Sequence, residues 1–157
     1  MKRLLAALAV LSLLALPAWA GREECDAAAL GGDFPAVYRE CLPLAQSGDA
    51  KAQNNLAFMY EKGQGGSQNY GEALKWYRKA AEQGDDFAQY HLGLMYEAGH
   101  GAAQDYTQAY MWYSLAIANS EGMMQDLVAL QREAVAGRMT PDQIARAQEM
   151  ARNFKPR

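Results

Sequence analysis

Apolar and polar positions alternate at helical spacing along most of this chain, and between residues 45 and 116 they do so twice over. Ala52, Leu56, Met59 and Tyr60 stand at i, i+4, i+7 and i+8, one stripe of an amphipathic helix. Ala73, Trp76, Tyr77 and Ala80 make a second stripe. Between the two, Gly63 and Gly65 can take the left-handed backbone that ends one helix and turns the chain. Asn69 with Glu72 three residues on has the form of a capping box that opens the second helix, and Asp105 with Gln108 repeats it. When Ala45–Ala80 is slid onto Ala81–Ala116, 17 of 36 positions are identical. A period of that length carrying two helical stripes predicts an all-α solenoid of antiparallel helix pairs, because one pair cannot bury its apolar face alone.

The pattern extends in both directions. Asp33-Phe34 falls 36 residues before Asn69-Tyr70, with Val37, Cys41 and Leu44 aligned on Ala73, Tyr77 and Ala80. Asp33–Gln46 is therefore expected to be the second helix of a partial first repeat over 24–46, preceded by a short helix over Glu24–Leu30. Beyond Ala116, Asn119–Gly137 reads as a helix with Met124, Leu127, Val128, Leu130 and Val135 as its apolar side, stopped by Gly137. Thr140-Pro141-Asp142-Gln143 starts another: Thr caps, Pro takes the first helical position and Gln completes the box. Ile144, Ala147, Met150 and Ala151 form its stripe, while Arg146, Gln148, Glu149 and Arg152 give a wet outer face. Residues 117–157 are thus expected to be a capping helix pair, with Asn153–Arg157 fraying.

Three runs of residues resemble a known repeat. Ala-Gln-x-x-Leu-x-x-Met-Tyr (52–60), Gly-x-Gly (63–65) and Ala-x-x-Trp-Tyr-Arg-Lys-Ala-Ala-Glu-Gln-Gly (73–84) are similar to the Sel-one-like repeat, a relative of the tetratricopeptide repeat. The second copy departs from it at Ser114-Leu115, where the family has a basic pair, and at Gly101-Ala102, where Gly-Val is common. Met-Thr-Pro-x-Gln (139–143) resembles the way many members open their last helix. The resemblance spans two full units, 45–80 and 81–116, with weaker flanks. It implies a scaffold that binds a protein or peptide on a concave face lined by the first helix of each pair. It also implies two other roles found among exported relatives: neutralising a partner, and, in relatives with cysteines in every repeat, hydrolysis of peptidoglycan or β-lactams.

Residues 1–20 have the form of a cleavable signal peptide. Lys2 and Arg3 precede the apolar run Leu4–Leu16, and Ala18-Trp19-Ala20 offers a small-x-small cleavage site. The rival reading is a membrane anchor, but the run falls short of the roughly 20 residues that spanning takes. Cys25 stands too far past the site for a lipoprotein. Cleavage would leave 137 residues, one domain over 21–157, and would move the net charge from −3 to −5 as Lys2 and Arg3 depart. A mildly acidic chain gives no basic patch for nucleic acid and no reason to bind anionic lipid. Leader and family together point to secretion across the inner membrane into a bacterial periplasm, as a monomer or weak oligomer. In that compartment Cys25 and Cys41 are expected to pair, clasping the first helices together, with free buried thiols as the alternative.

No catalytic or metal constellation emerges, and no cofactor is expected. Neither His91 nor His100 stands at ligand spacing with the cysteines; both are expected to pack or face solvent. Glu61 and Glu97 recur with the repeat, which suggests a structural role at each helix end. The seven methionines after Met1, Met59 and Met95 among them, suit packing better than copper. What differs between the copies is the non-core side of the first helices. Lys51, Asn54, Asn55 and Phe58 stand there in one copy, and Phe87, Tyr90, His91 and Leu94 in the other. A shared core with a varied, partly aromatic face is the pattern of a partner-binding surface. Packing of those aromatics on neighbouring helices is the competing expectation. An envelope hydrolase and a purely structural envelope component are the competing functions.

Overall fold

The structure, a computed structural model, describes residues 18–157. The candidate leader lies outside the described residues, except for positions 18–20, which are helical. Among the described residues there are eight helices and no strand: α1 Ala18–Gly31, α2 Phe34–Gln46, α3 Ala50–Lys62, α4 Tyr70–Glu82, α5 Asp86–Ala98, α6 Tyr106–Asn119, α7 Gly122–Ala136 and α8 Pro141–Asn153. Each helix from α1 to α6 packs on the next, and α8 lies on α6 and not on α7. The result is the all-α stack of helix pairs that the period predicts. No described helix is long and apolar enough to cross a membrane.

The repeated residues are the ones that hold the stack. Leu56 and Leu92, Tyr77 and Tyr113, and the small Ala73, Ala80, Ala109 and Ala116 are fully buried. Gln53 and Gln89 are buried as well, and their amides explain why a polar residue recurs in the core. Gln53 Nε2 donates to the Ala45 carbonyl at 3.0 Å, and Gln89 Nε2 donates to that of Ala81 at 3.1 Å. Each glutamine carbonyl then accepts from the C-terminal end of the second helix of its own pair, Gln53 from Gln83 and Gln89 from Asn119, both at 2.9 Å. A buried amide left unpaired would cost about 1–3 kcal/mol, so these bonds fix the register within and between pairs. Gln125 Nε2 makes the same bond to the Ile117 carbonyl at 3.0 Å, 36 residues further on. α7 therefore stands where the first helix of a third pair would, but the capping pair expected over 117–157 does not close, because α8 packs on α6 and not on α7.

Glycine is required at the turns. Gly63 and Gly65 have φ of 66° and 83°, and a Cβ on Gly65 would stand 2.5 Å from that of Phe34. The expected capping boxes at Asn69 and Asp105 are one-sided. Both side chains cap, accepting from Glu72 N and Gln108 N at 3.0 Å. Their own N–H groups, however, already donate to the carbonyls of Tyr60 and Tyr96 at 2.9 Å, so Glu72 and Gln108 find no donor there. Thr140 and Gln143 do form the full box.

Four further expectations change. α1 is already helical at Ala18, the first described residue, six residues before the expected Glu24. The helix expected over Asn119–Gly137 is broken: Asn119 closes α6, and α7 opens at Gly122, whose φ is +58°. On α7 only Val128 and Val135 are buried, while Leu127 and Leu130 face outward. Finally, the last residues do not fray. Phe154 packs edge-on against Trp112 at 5.5 Å, and Arg157 N donates to the Glu82 carbonyl at 2.9 Å, strapping the tail back to α4.

Candidate functional site

The first helices of successive pairs, α1, α3, α5 and α7, lie in one layer and leave grooves between them. One groove of about 500 Å³ is lined by Asp26, Ala29 and Leu30 of α1, by Lys51, Asn54, Asn55 and Phe58 of α3, and by Asp85 and Phe87 at the start of α5. Five of the eight residues singled out in the sequence thus meet in one place. Phe58 and Phe87 are 40% and 53% exposed, and Leu30 is almost wholly so. Burying rings of this size against a partner is where most of an interface's free energy is gained. Asn55 Nδ2 donates to Asp26 Oδ1 at 3.1 Å, tying α1 to α3 across the floor. Asn54 lines the same groove, with its Oδ1 buried and without a hydrogen-bond partner.

The wall formed by α1 is held by the cysteines. Cys25 and Cys41 are joined in a disulfide with Cα atoms 4.9 Å apart, bridging α1 to α2. Arg22 adds an ion pair with Asp49, whose carboxylate also caps α3 by accepting from Ala52 N. Asp85 does the same for α5, accepting from Ala88 N at 2.8 Å. Burial pushes the Asp85 carboxyl above its ordinary range, against the cap bond and nearby Lys51, which favour its charge.

Tyr90, His91 and Leu94 are placed differently from Phe58 and Phe87. They are half-buried and do not line this groove. The His91 ring stacks on Tyr77 with centroids 4.9 Å apart, and Phe58 meets it edge-on at 6.0 Å. Tyr90 leans on Tyr113 at 6.0 Å. Leu94 lines a second groove with Glu61, Glu97, Gln131 and Arg138. These three residues support Phe58 from behind or shape a neighbouring surface. Sequence reasoning missed Asp26, Ala29, Leu30 and Asp85, which reach the groove from outside the two helical stripes it compared.

Glu61 and Glu97 have the structural role that their recurrence suggested. Tyr77 Oη donates to Glu61 Oε2 and Tyr113 Oη to Glu97 Oε2, both at 2.7 Å. His91 Nδ1 lies 3.1 Å from Glu61 Oε2, within ion-pair distance. Burial alone would raise the Glu61 pKa; the contacts from His91, Lys62 and Tyr77 outweigh it and hold the carboxyl at about 2. A pKa below the unfolded value adds stability that is present above the unfolded pKa and is lost as pH falls through the folded one. The melting temperature should therefore drop between about pH 5 and pH 2, and Glu61→Gln should flatten that drop in a calorimetric pH series. An unchanged slope would show that Glu61 is not held in its charged form.

The family model for the Sel1 repeat matches residues 50–85 and 86–120. These are the pairs α3–α4 and α5–α6, framed from helix start to helix start. The chain carries two Sel1 repeats. Among solved structures, the Sel1-repeat chain is similar to a protective antigen present in uropathogenic Escherichia coli strains and displaying an SLR fold. The TM-score is 0.73 at 29% identity, over 86% of this chain and 30% of the antigen. This chain therefore spans less than a third of that relative. It is also similar to a Sel1 repeat protein from Oxalobacter formigenes, with TM-score 0.54 and 27% identity, over 69% of this chain and 96% of that one. No curated protein matches the chain. The Sel1-repeat solenoid is typical of scaffolds for protein–protein interaction.

Proposed function

We propose that this Sel1-repeat chain is an exported scaffold that binds a protein or peptide partner in the cell envelope, as an adaptor, regulator or neutralising partner. The contact is made through the groove between α1, α3 and α5. One observation carries the reading: Phe58 and Phe87 from different repeats, with Leu30, expose apolar surface into a single groove. Core residues of the repeat are shared between copies, so this groove is where the chain differs from a generic stack. The leader read at 1–20 supports export, and the disulfide supports an oxidising destination.

The partner can be located by photo-crosslinking in cells. A photoreactive residue at Phe87 is expected to capture one discrete partner, whereas the same residue at Lys79 on α4, away from the groove, captures none. Capture at Lys79 and not at Phe87 would move the binding surface to the second-helix side.

A further inference from the structure

The most exposed large apolar side chains after Leu30 do not lie in that groove. Met123 and Leu130 on α7 are 87% and 72% exposed, and Leu127 between them is 48% exposed. At i, i+4 and i+7 they form one stripe about 10 Å long on one side of the helix. The Gln125–Ile117 bond fixes α7 in the same register as α3 and α5. Met123, Leu127 and Leu130 therefore occupy the positions held by Phe87, His91 and Leu94 on α5, and by Lys51, Asn55 and Phe58 on α3. The row that faces the groove through Lys51, Asn55 and Phe58 on α3, and through Phe87 alone on α5, has its counterpart on α7, where it is purely aliphatic.

Charge selects what can sit on it. At about 100° of turn per residue, Asp126 and Glu133 fall together along one flank of the stripe, the flank away from buried Val128 and Val135. Both carboxylates are exposed, and Arg132, paired with Glu133 at 3.3 Å, turns toward the Tyr110 ring on α6 instead. An antiparallel second copy of α7 would bring Asp126 and Glu133 against their own counterparts, which disfavours self-pairing. A straight aliphatic stripe with one acidic edge is complementary to a helix with an apolar face and a basic edge.

We infer that α7 is a second docking surface, taking a basic amphipathic helix of the partner, with Met123, Leu127 and Leu130 as the apolar seat and Asp126 and Glu133 as the charge guide. It rests on the reading that the first-helix layer faces the partner. It is tested by a probe that does not depend on the α1–α3–α5 groove.

The probes are two synthetic amphipathic helices of equal length with leucine on one face and either lysine or glutamate on the flanks. They are titrated into the mature chain with its leucine and methionine methyl groups labelled for NMR. The lysine helix is expected to shift the Met123, Leu127 and Leu130 methyls and to bind at least about tenfold more tightly than the glutamate helix. Asp126→Asn with Glu133→Gln should weaken the lysine helix by roughly two- to tenfold and leave the glutamate helix no weaker. Phe58→Ala with Phe87→Ala should leave the α7 response intact, so failure of the groove reading is seen separately. The inference is overturned if the lysine helix shifts other methyls instead, if both helices bind alike, or if the free chain dimerises through Leu127 and Leu130 in sedimentation.

Discussion

Tyr113→Ala is expected to destabilise the domain by about 3–5 kcal/mol, lowering its melting temperature by about 10 °C or more. The ring is fully buried. It lies so close to α5 that a Cβ on Gly93 would stand 2.4 Å from Cε1, so the neighbouring helix cannot collapse far into the space left behind. The substitution also removes the hydroxyl that donates to Glu97 Oε2, leaving that carboxylate to Gln131 Nε2 at 2.8 Å. Tyr113→Phe separates the two effects. It keeps the packing and removes one charge-assisted hydrogen bond, for a cost of about 1.5–3 kcal/mol. Calorimetry on both variants should place phenylalanine well above alanine. Equal melting temperatures would mean that the hydroxyl, and not the ring, holds α6 to α5.

Loss of the disulfide is the second large effect. Cys25→Ser with Cys41→Ser opens a loop of 15 intervening residues, worth about 3 kcal/mol in the chain-entropy model. In a stack where each pair touches only its neighbours, that loss is felt first at the end where the bridge sits. Hydrogen exchange should therefore speed up in α1 and α2, while α5 and α6 keep their protection. Because Asp26, Ala29 and Leu30 form one wall of the groove, partner affinity should fall along with α1 order, without any change at Phe58 or Phe87 themselves. If the serine variant exchanges evenly along the chain, the bridge is a global brace and not a clasp on the first pair.

Much of the fold was legible because the repeat is written in the residues that pack. Leu56, Tyr77 and their counterparts are identical between copies since each fills the same site, and Glu61 and Glu97 recur because each receives a buried tyrosine hydroxyl. The register of α7 was hidden for the converse reason. At the end of the stack, positions such as Met95 give way to Gln131, so identity fades while the geometry, kept by Gln125, persists. Without that register, Leu127 and Leu130 look like ordinary core residues of a helix; sliding the 36-residue offset once more would have put them on the outer row. The strap at Phe154–Arg157 depends on contacts with Trp112 and Glu82, far away in the chain, and leaves no local signal. Of the candidate site, the α3 residues and Phe87 were readable as variation between copies, while the α1 wall lies in a helix that has no counterpart stripe to compare.

The central claim is that the face of the first helices binds the partner. Its most direct test is the affinity of the mature chain for the protein crosslinked at Phe87, measured by titration calorimetry with the unaltered chain and with Phe58→Ala/Phe87→Ala. Each exposed ring should contribute about 1–2 kcal/mol, so the double variant is expected to bind about 30- to 1000-fold more weakly while melting at nearly the same temperature. Unchanged affinity in a folded double variant would contradict the account and leave the groove a feature of the scaffold alone.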